Sequence, residues 1–170
     1  MKSNYFTVEV KPTIGAIQQQ VGVYTAGDLL FDWTSFDIPR GVCKLTGVTI
    51  ITRPKGDTDP TPNPFGVDLL FGKVGTSIGT SNGTPLLNTP TEDILGSAKI
   101  ATGDYIQNNI GSQPSSIAHI SNLDIVLTPD PTSGANVGVD RFYIAGIATG
   151  AFFFTTTTNI VASDSAAAAV

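Results

Sequence analysis

The sequence predicts an all-β fold, a two-sheet antiparallel β-sandwich of jelly-roll type. Three observations carry that prediction. Short apolar runs alternate with polar residues at a period of two. The 18 glycines and 11 prolines fall mostly between those runs, as in TRPKGDTDPTPNPFG and GTSIGTSNGTP, where they punctuate strands. Apolar positions never recur at helical spacing for more than about two turns. With 170 residues and 41% apolar content, one domain over 1–170 can bury a core that needs no metal or disulfide staple.

From Asn4 to Val10, Phe6, Val8 and Val10 share one face while Thr7 and Glu9 share the other, and Pro12 closes the run. That is a half-buried strand. Gln20 to Thr25 alternates through Val21 and Val23, and the AGD turn leads on to Leu29–Trp33, which together predict a hairpin. In Val42 to Thr52 the apolar set moves from Cys43 and Leu45 to Val48 and Ile50. Gly47 sits at the slip, so a β-bulge is expected there.

Arg53 to Pro64 is rich in proline and has no hydrophobic residue, which predicts an exposed loop. FGVDLLFG resumes strand character with Val67, Leu69 and Phe71 on one side, and the Gly, Ser and Thr run through Pro85 reads as a second long connection. NTPTEDILG carries the one helical signal. Thr89 can cap, Pro90 suits the first helical position, Glu92 falls three residues after the cap and Gly96 can stop the turn, predicting a short helix near residues 90–96.

Ile117 to Thr128 is the longest alternating run, with Leu123, Ile125 and Leu127 inward and Asn122 and Asp124 outward. Val139–Thr149 and Ala151–Thr158 supply the last strands, rich in aromatic and β-branched residues. Beyond Val161 the pattern stops. Residues 162–170 read as a small-residue tail that is either mobile or laid against a neighbour. Alternation fixes which face of each strand is buried but not which strands pair, so an immunoglobulin-like sandwich stands beside the preferred jelly roll.

Composition narrows the function classes. Charged residues make up 14% of the chain, against roughly 25% in typical soluble domains, so neutral Thr, Ser, Asn and Gly supply much of the polar surface. Such a surface loses little solvation when another protein covers it. A net charge of −5 offers a phosphate backbone no cationic field, so nucleic acid is not an expected partner. Cys43 is the only cysteine, which suits a reducing cytosol and reads as a small buried hydrophobe. The N-terminus lacks the continuous apolar stretch of a secretory signal. Phe142–Phe154, the most apolar segment, is too short to span a bilayer. No membrane is expected as a partner.

Few groups suit catalysis. His119 is the only histidine and lies within a strand pattern, where a structural or surface imidazole outweighs a catalytic base. One histidine and one cysteine cannot furnish a zinc or copper site. The candidate carboxylates are Asp57 with Asp59, Asp28 with Asp32, Asp37 and Asp130. All sit in or beside turns, where Asp side chains bond nearby backbone amides. DTDPTP opens like a calcium loop but lacks its central Gly and Glu, and GKVGTS lacks the glycine spacing of a phosphate loop. Trp33, Tyr24 and Phe31 are candidates for a sugar-binding aromatic platform, with core membership the stronger reading. The sequon-like NGT at Asn82 matters only in a secretory setting. No catalytic, cofactor-binding or metal-binding residue is assigned, and no enzyme is expected.

The ordered series VGVYTAGDLLFDWTSFDIPRG, CKLTGVTIITR, VDLLFGK and TPTEDILGSAKIATGDYI resembles a family of small virion structural proteins of tailed bacteriophages, particularly phages of marine bacteria. The resemblance covers roughly Val21 to Thr149, and its motifs mark turns and strands. It implies a head decoration or cement protein on the capsid exterior, made in the host cytoplasm, bound to the major capsid protein and assembled as a homo-oligomer, most often a trimer. It implies no catalytic residue. The N-terminal strand, the Arg53–Pro64 loop and the C-terminal tail are the expected contact segments. The rival reading is a tail, fibre or host-adhesion module that binds surface glycan. A cellular β-sandwich binding module follows it, and an enzyme comes last.

Overall fold

The computed structural model describes residues 5–13, 23–52, 64–86, 93–108, 115–129, 139–153 and 167–169. The strands in chain order are β1 (Glu9–Val10), β2 (Val23–Tyr24), β3 (Leu29–Pro39), β4 (Cys43–Thr52), β5 (Val67–Gly72), β6 (Ile94–Ile100), β7 (Tyr105–Asn108), β8 (Ser115–Leu127), β9 (Val139–Ala148), β10 (Phe152–Phe153) and β11 (Ala167–Ala169). A 3₁₀ turn at Thr102–Asp104 separates β6 from β7.

One sheet holds five strands in the order β1-β11-β4-β8-β7, the other holds four in the order β3-β9-β5-β6, and β2 with β10 forms a separate two-stranded ribbon. Apart from β7, the strands pair outermost with outermost, β2 with β10 included. β1 lies against β11, β3 against β9, β4 against β8 and β5 against β6, all antiparallel. This nesting is one long hairpin wound over into a sandwich, the jelly-roll connectivity. The fold class read from the sequence is therefore the one observed.

The core lies between the two sheets. Val10, Leu45, Val48, Ile50, Ala118 and Leu127 from the five-stranded sheet meet Phe36, Ile38, Val67, Leu69, Phe71, Ala98, Ile100, Phe142 and Ile144 from the four-stranded one in a single cluster. Each such aliphatic or aromatic side chain contributes about 1.5 to 3 kcal/mol from burial, most of it offset by conformational entropy. Phe36 and Phe142, partners across β3 and β9, have ring centroids 6.1 Å apart at 31°.

The expected slip at Gly47 is present, and its extra residues lie on the partner strand. Leu45 pairs with Ile125 and Gly47 with Ser121, so two steps on β4 are matched by four on β8. Asn122 takes φ 63° within that excursion, a left-handed value that Asn tolerates. The slip reverses which parity faces inward on both strands. Val48 and Ile50 follow Leu45 on β4, while Ser116 and Ala118 precede Ile125 and Leu127 on β8.

Four expectations need correction. β2 and β3 do not form a hairpin: the AGD turn is real, with Asp28 N–H donating to Thr25 O at 3.1 Å, but β2 pairs with β10 and β3 with β9. The strand expected from Asn4 is laddered only over Glu9–Val10. Of the short helix expected near 90–96, the described part is Asp93, in 3₁₀ conformation, and the helix does not run on to 96. Ile94, Leu95 and Gly96 open strand β6, and 87–92 lie outside the described residues. Gly96 serves close sheet-to-sheet approach, since a Cβ there would stand 2.9 Å from both Cγ1 and Cγ2 of Ile125. Finally, within the 162–170 tail, Ala167–Ala169 form β11 between β1 and β4. The Arg53–Pro64 loop lies outside the described residues except for Pro64.

Gly146 lies opposite Phe31 in the β3–β9 ladder, and a Cβ there would run into the Phe31 ring. Gly146→Ala is expected to destabilise the fold by about 1 to 3 kcal/mol through overpacking, read as a lower urea midpoint with an unchanged slope. A variant as stable as the wild type would mean that the ring is not seated against this glycine.

Candidate functional site

The described carboxylates are engaged in holding the fold. Asp28 Oδ2 accepts from Thr25 N–H at 2.6 Å and Thr25 Oγ1–H at 2.8 Å, tightening the turn before β3. Asp32 Oδ1 accepts from its neighbour Trp33 N–H at 2.8 Å and from Ile78 N–H at 3.1 Å. Asp28 and Asp32 thus hold different segments rather than forming an acid–base couple. Asp140 Oδ2 accepts from Gly41 N–H at 2.7 Å, and Asp104 Oδ2 from Ala101 N–H at 2.8 Å. Glu9, Asp68, Asp93 and Asp124 face Lys11, Lys99, Lys73 and Lys44. Asp57, Asp59 and Asp130 lie outside the described residues.

Asp37 and Arg141 form the best-defined ion pair. They are register partners on the outer face of the β3–β9 ladder, with Arg141 Nε 2.8 Å from Asp37 Oδ1 and Nη2 3.1 Å from Oδ2. The guanidinium holds the Asp37 carboxyl below its usual range, and the same contact raises Arg141.

The remaining candidates are placed just as plainly. His119 is exposed on β8, its Nδ1 2.8 Å from Oγ1 of Thr49, its neighbour across the ladder. Cys43 is a free thiol, half-buried at the margin of the core rather than fully buried as expected, and desolvation pushes it further from ionisation. Among the described residues no group of three or more His, Cys, Asp or Glu could hold a metal ion. No described helix is long and apolar enough to cross a membrane.

The aromatic trio does not form a platform. Tyr24 and Phe31 are buried in the main core, whereas Trp33 packs with Leu29, Ile78 and Ala145 in a second cluster. Tyr24 lies 3.1 Å from Ser81 Oγ. Ser81 gives its proton to Leu30 O at 3.0 Å, so the tyrosine donates, and burial raises its pKa.

The second cluster explains the GTSIGTSNGTP run. Residues 73–86 lie over part of the outer face of the four-stranded sheet with Ile78 fully buried. Backbone bonds from Leu29 N to Gly83 O at 2.9 Å, Asn82 N to Leu29 O at 2.8 Å and Leu86 N to Ile78 O at 2.6 Å pin them there. What looked like a plain connection is a cover whose signal was one isoleucine amid polar residues.

The five-stranded sheet is different. Register places Ile51, Ile117 and Ile106 side by side across β4, β8 and β7. Their neighbours Thr52, Ser116 and Ala118 are buried, so the three isoleucines point outward. Ile51 and Ile117 are half-buried, and Ile106 on the edge strand is 70% exposed. Among the described residues, Val42, Leu86 and Val126 are the other exposed aliphatics of size. Sequence reading missed this row because three isoleucines on separate strands become neighbours only once the register is known.

No family model, curated protein or solved structure matches the chain.

Asp37→Asn is expected to lower stability at neutral pH by no more than about 1 kcal/mol, because the pair is exposed. The depressed folded-state pKa of Asp37 stabilises above the unfolded carboxyl pKa of about 3.9 and loses that contribution as pH falls through the folded value. Urea titrations of wild type and variant should therefore converge as the pH falls below the folded-state value of Asp37. A gap that persists there would assign the effect to something other than this ion pair.

Proposed function

We propose that this chain is a non-enzymatic virion structural protein that binds the outer surface of a phage capsid as a decoration or cement protein, stabilising it through protein–protein contacts as a homo-oligomer, with a trimer favoured. The carrying observation is the division of labour among side chains. The described carboxylates are committed to turns, covers and ladder pairs, while exposed Ile106, Val42 and Leu86 stand available to another macromolecule. Apolar side chains on a surface poor in charge gain from being covered, and neutral Thr, Ser and Gly lose little.

The sequence resemblance supports the same reading. The stretch that carries it, roughly Val21 to Thr149, contains β2 through β9. Burial of Tyr24 and Phe31 in the core weighs against the glycan-binding alternative, which needs exposed aromatic faces. The capsid exterior is accordingly the proposed location and the major capsid protein the proposed partner, with no role for nucleic acid or membrane.

Quantitative mass spectrometry of purified particles tests this. The protein is expected in intact particles at a copy number fixed by the capsid lattice, and purified protein should rebind particles from which it has been stripped. Its absence from particles, or a copy number matching a tail component, would overturn the reading.

A further inference from the structure

We propose that the N-terminal run Tyr5–Val8 of one copy pairs with the free edge of β7 in a neighbouring copy, carrying the five-stranded sheet from molecule to molecule. The inference refines the oligomer part of the proposed function and does not depend on what particle the protein decorates.

Two unsatisfied features of the same chain carry it. The first is a strand pattern without a strand. Phe6, Val8 and Val10 alternate with Thr7 and Glu9, yet ladder pairing begins only at Glu9, and residues 5–8 have no regular structure. Tyr5 is 86% exposed and Phe6 39%, while Val8 packs against the core. The run is thus anchored at one end and presents two aromatic side chains at the other.

The second is a sheet edge that no described residue protects. Exposed edges are normally blunted by charge, proline or a bulge. β1 carries Glu9 and is followed by Lys11 and Pro12. β3 carries Asp37 and Pro39 and two register shifts, and β6 carries Lys99. β7 reads Tyr-Ile-Gln-Asn and has none of these devices. The incoming run is equally free of charge, so pairing the two removes no ionised group from water. An added strand that sets Phe6 beside Ile106 would extend the row Ile51, Ile117, Ile106 by one more apolar side chain.

Geometry then dictates the symmetry. β1 and β7 are opposite edges of one sheet, so a contact from one to the other is head-to-tail, which closes into a ring when the rotation allows. A ring of three matches the favoured trimer. Size dictates the strength. Two aromatics bury at most about 150 to 250 Å² each, leaving the contact short of the roughly 1,200 Å² of a stable interface. Dilute protein is therefore monomeric, and rings form at high concentration or where a lattice holds copies close together.

Disulfide trapping tests the contact in solution. Phe6→Cys and Ile106→Cys are made separately in a Cys43→Ala background, with Val42→Cys as an exposed control, and an unchanged near-ultraviolet spectrum verifies each fold. Mixed at about 1 mM under mild oxidation, Phe6→Cys and Ile106→Cys should link to each other well above either variant alone and above any pair with the control. A chain with both cysteines should trap rings of three. Sedimentation should show self-association of the wild type at that concentration, lost on deleting residues 1–7. Absence of the mixed product, Ile106→Cys linking mainly to itself, or association that survives the deletion would overturn the proposal. Particle binding is read separately. Binding without cross-linking removes this contact and leaves the proposed function, and cross-linking without binding does the reverse.

Discussion

The two sheets meet along one apolar layer, and the rest of the molecule follows from keeping that layer in phase along strands that pair far apart in sequence. Phe36 meets Phe142 and Leu45 meets Ile125 only if inward parity agrees on chain segments separated by roughly half the length of the protein or more. A single-residue error would turn every isoleucine and valine of a strand to water. The slip between Leu45 and Gly47, matched by the longer excursion through Asn122, is where that agreement is reset. Glycines at 96 and 146 do the complementary work, giving Ile125 and Phe31 the room that any Cβ would take.

Features that live within one strand could be read from the sequence. The alternation of Val67, Leu69 and Phe71, the inward Ile125 and Leu127, and the slip at Gly47 all match the structure, because parity and local phase are properties of a short segment. Features that depend on partners could not. The turn at Thr25–Asp28 is sound, but its flanking strands go to different partners. Gly96 carries the signature of a helix stop and in fact accommodates Ile125. Three alanines with no pattern of their own become a strand because β1 and β4 offer ladders on both sides. The isoleucine row was invisible for the same reason, whereas the fate of Asp28 followed from the ordinary preference of Asp for turns.

Pairing outermost strands with outermost also places the two ends of the described chain in one sheet and leaves that sheet with edges of different character. One edge continues into an exposed, uncharged run of strand-forming sequence, and the other ends on Ile106. Meanwhile the described carboxylates, the bidentate Arg141 and the buried Tyr24 bond within the molecule at turns, covers and ladders. The proposed role on a capsid and the proposed strand exchange between copies both draw on that economy of reactive groups.

Nuclear magnetic resonance contacts between backbone protons of facing strands test the nested pairing most directly. The account predicts contacts between Phe36 and Phe142, Thr49 and His119, and Leu69 and Gly146, the register partners seen here. Contacts instead between β3 and β4, as a meander of consecutive hairpins would give, would contradict it.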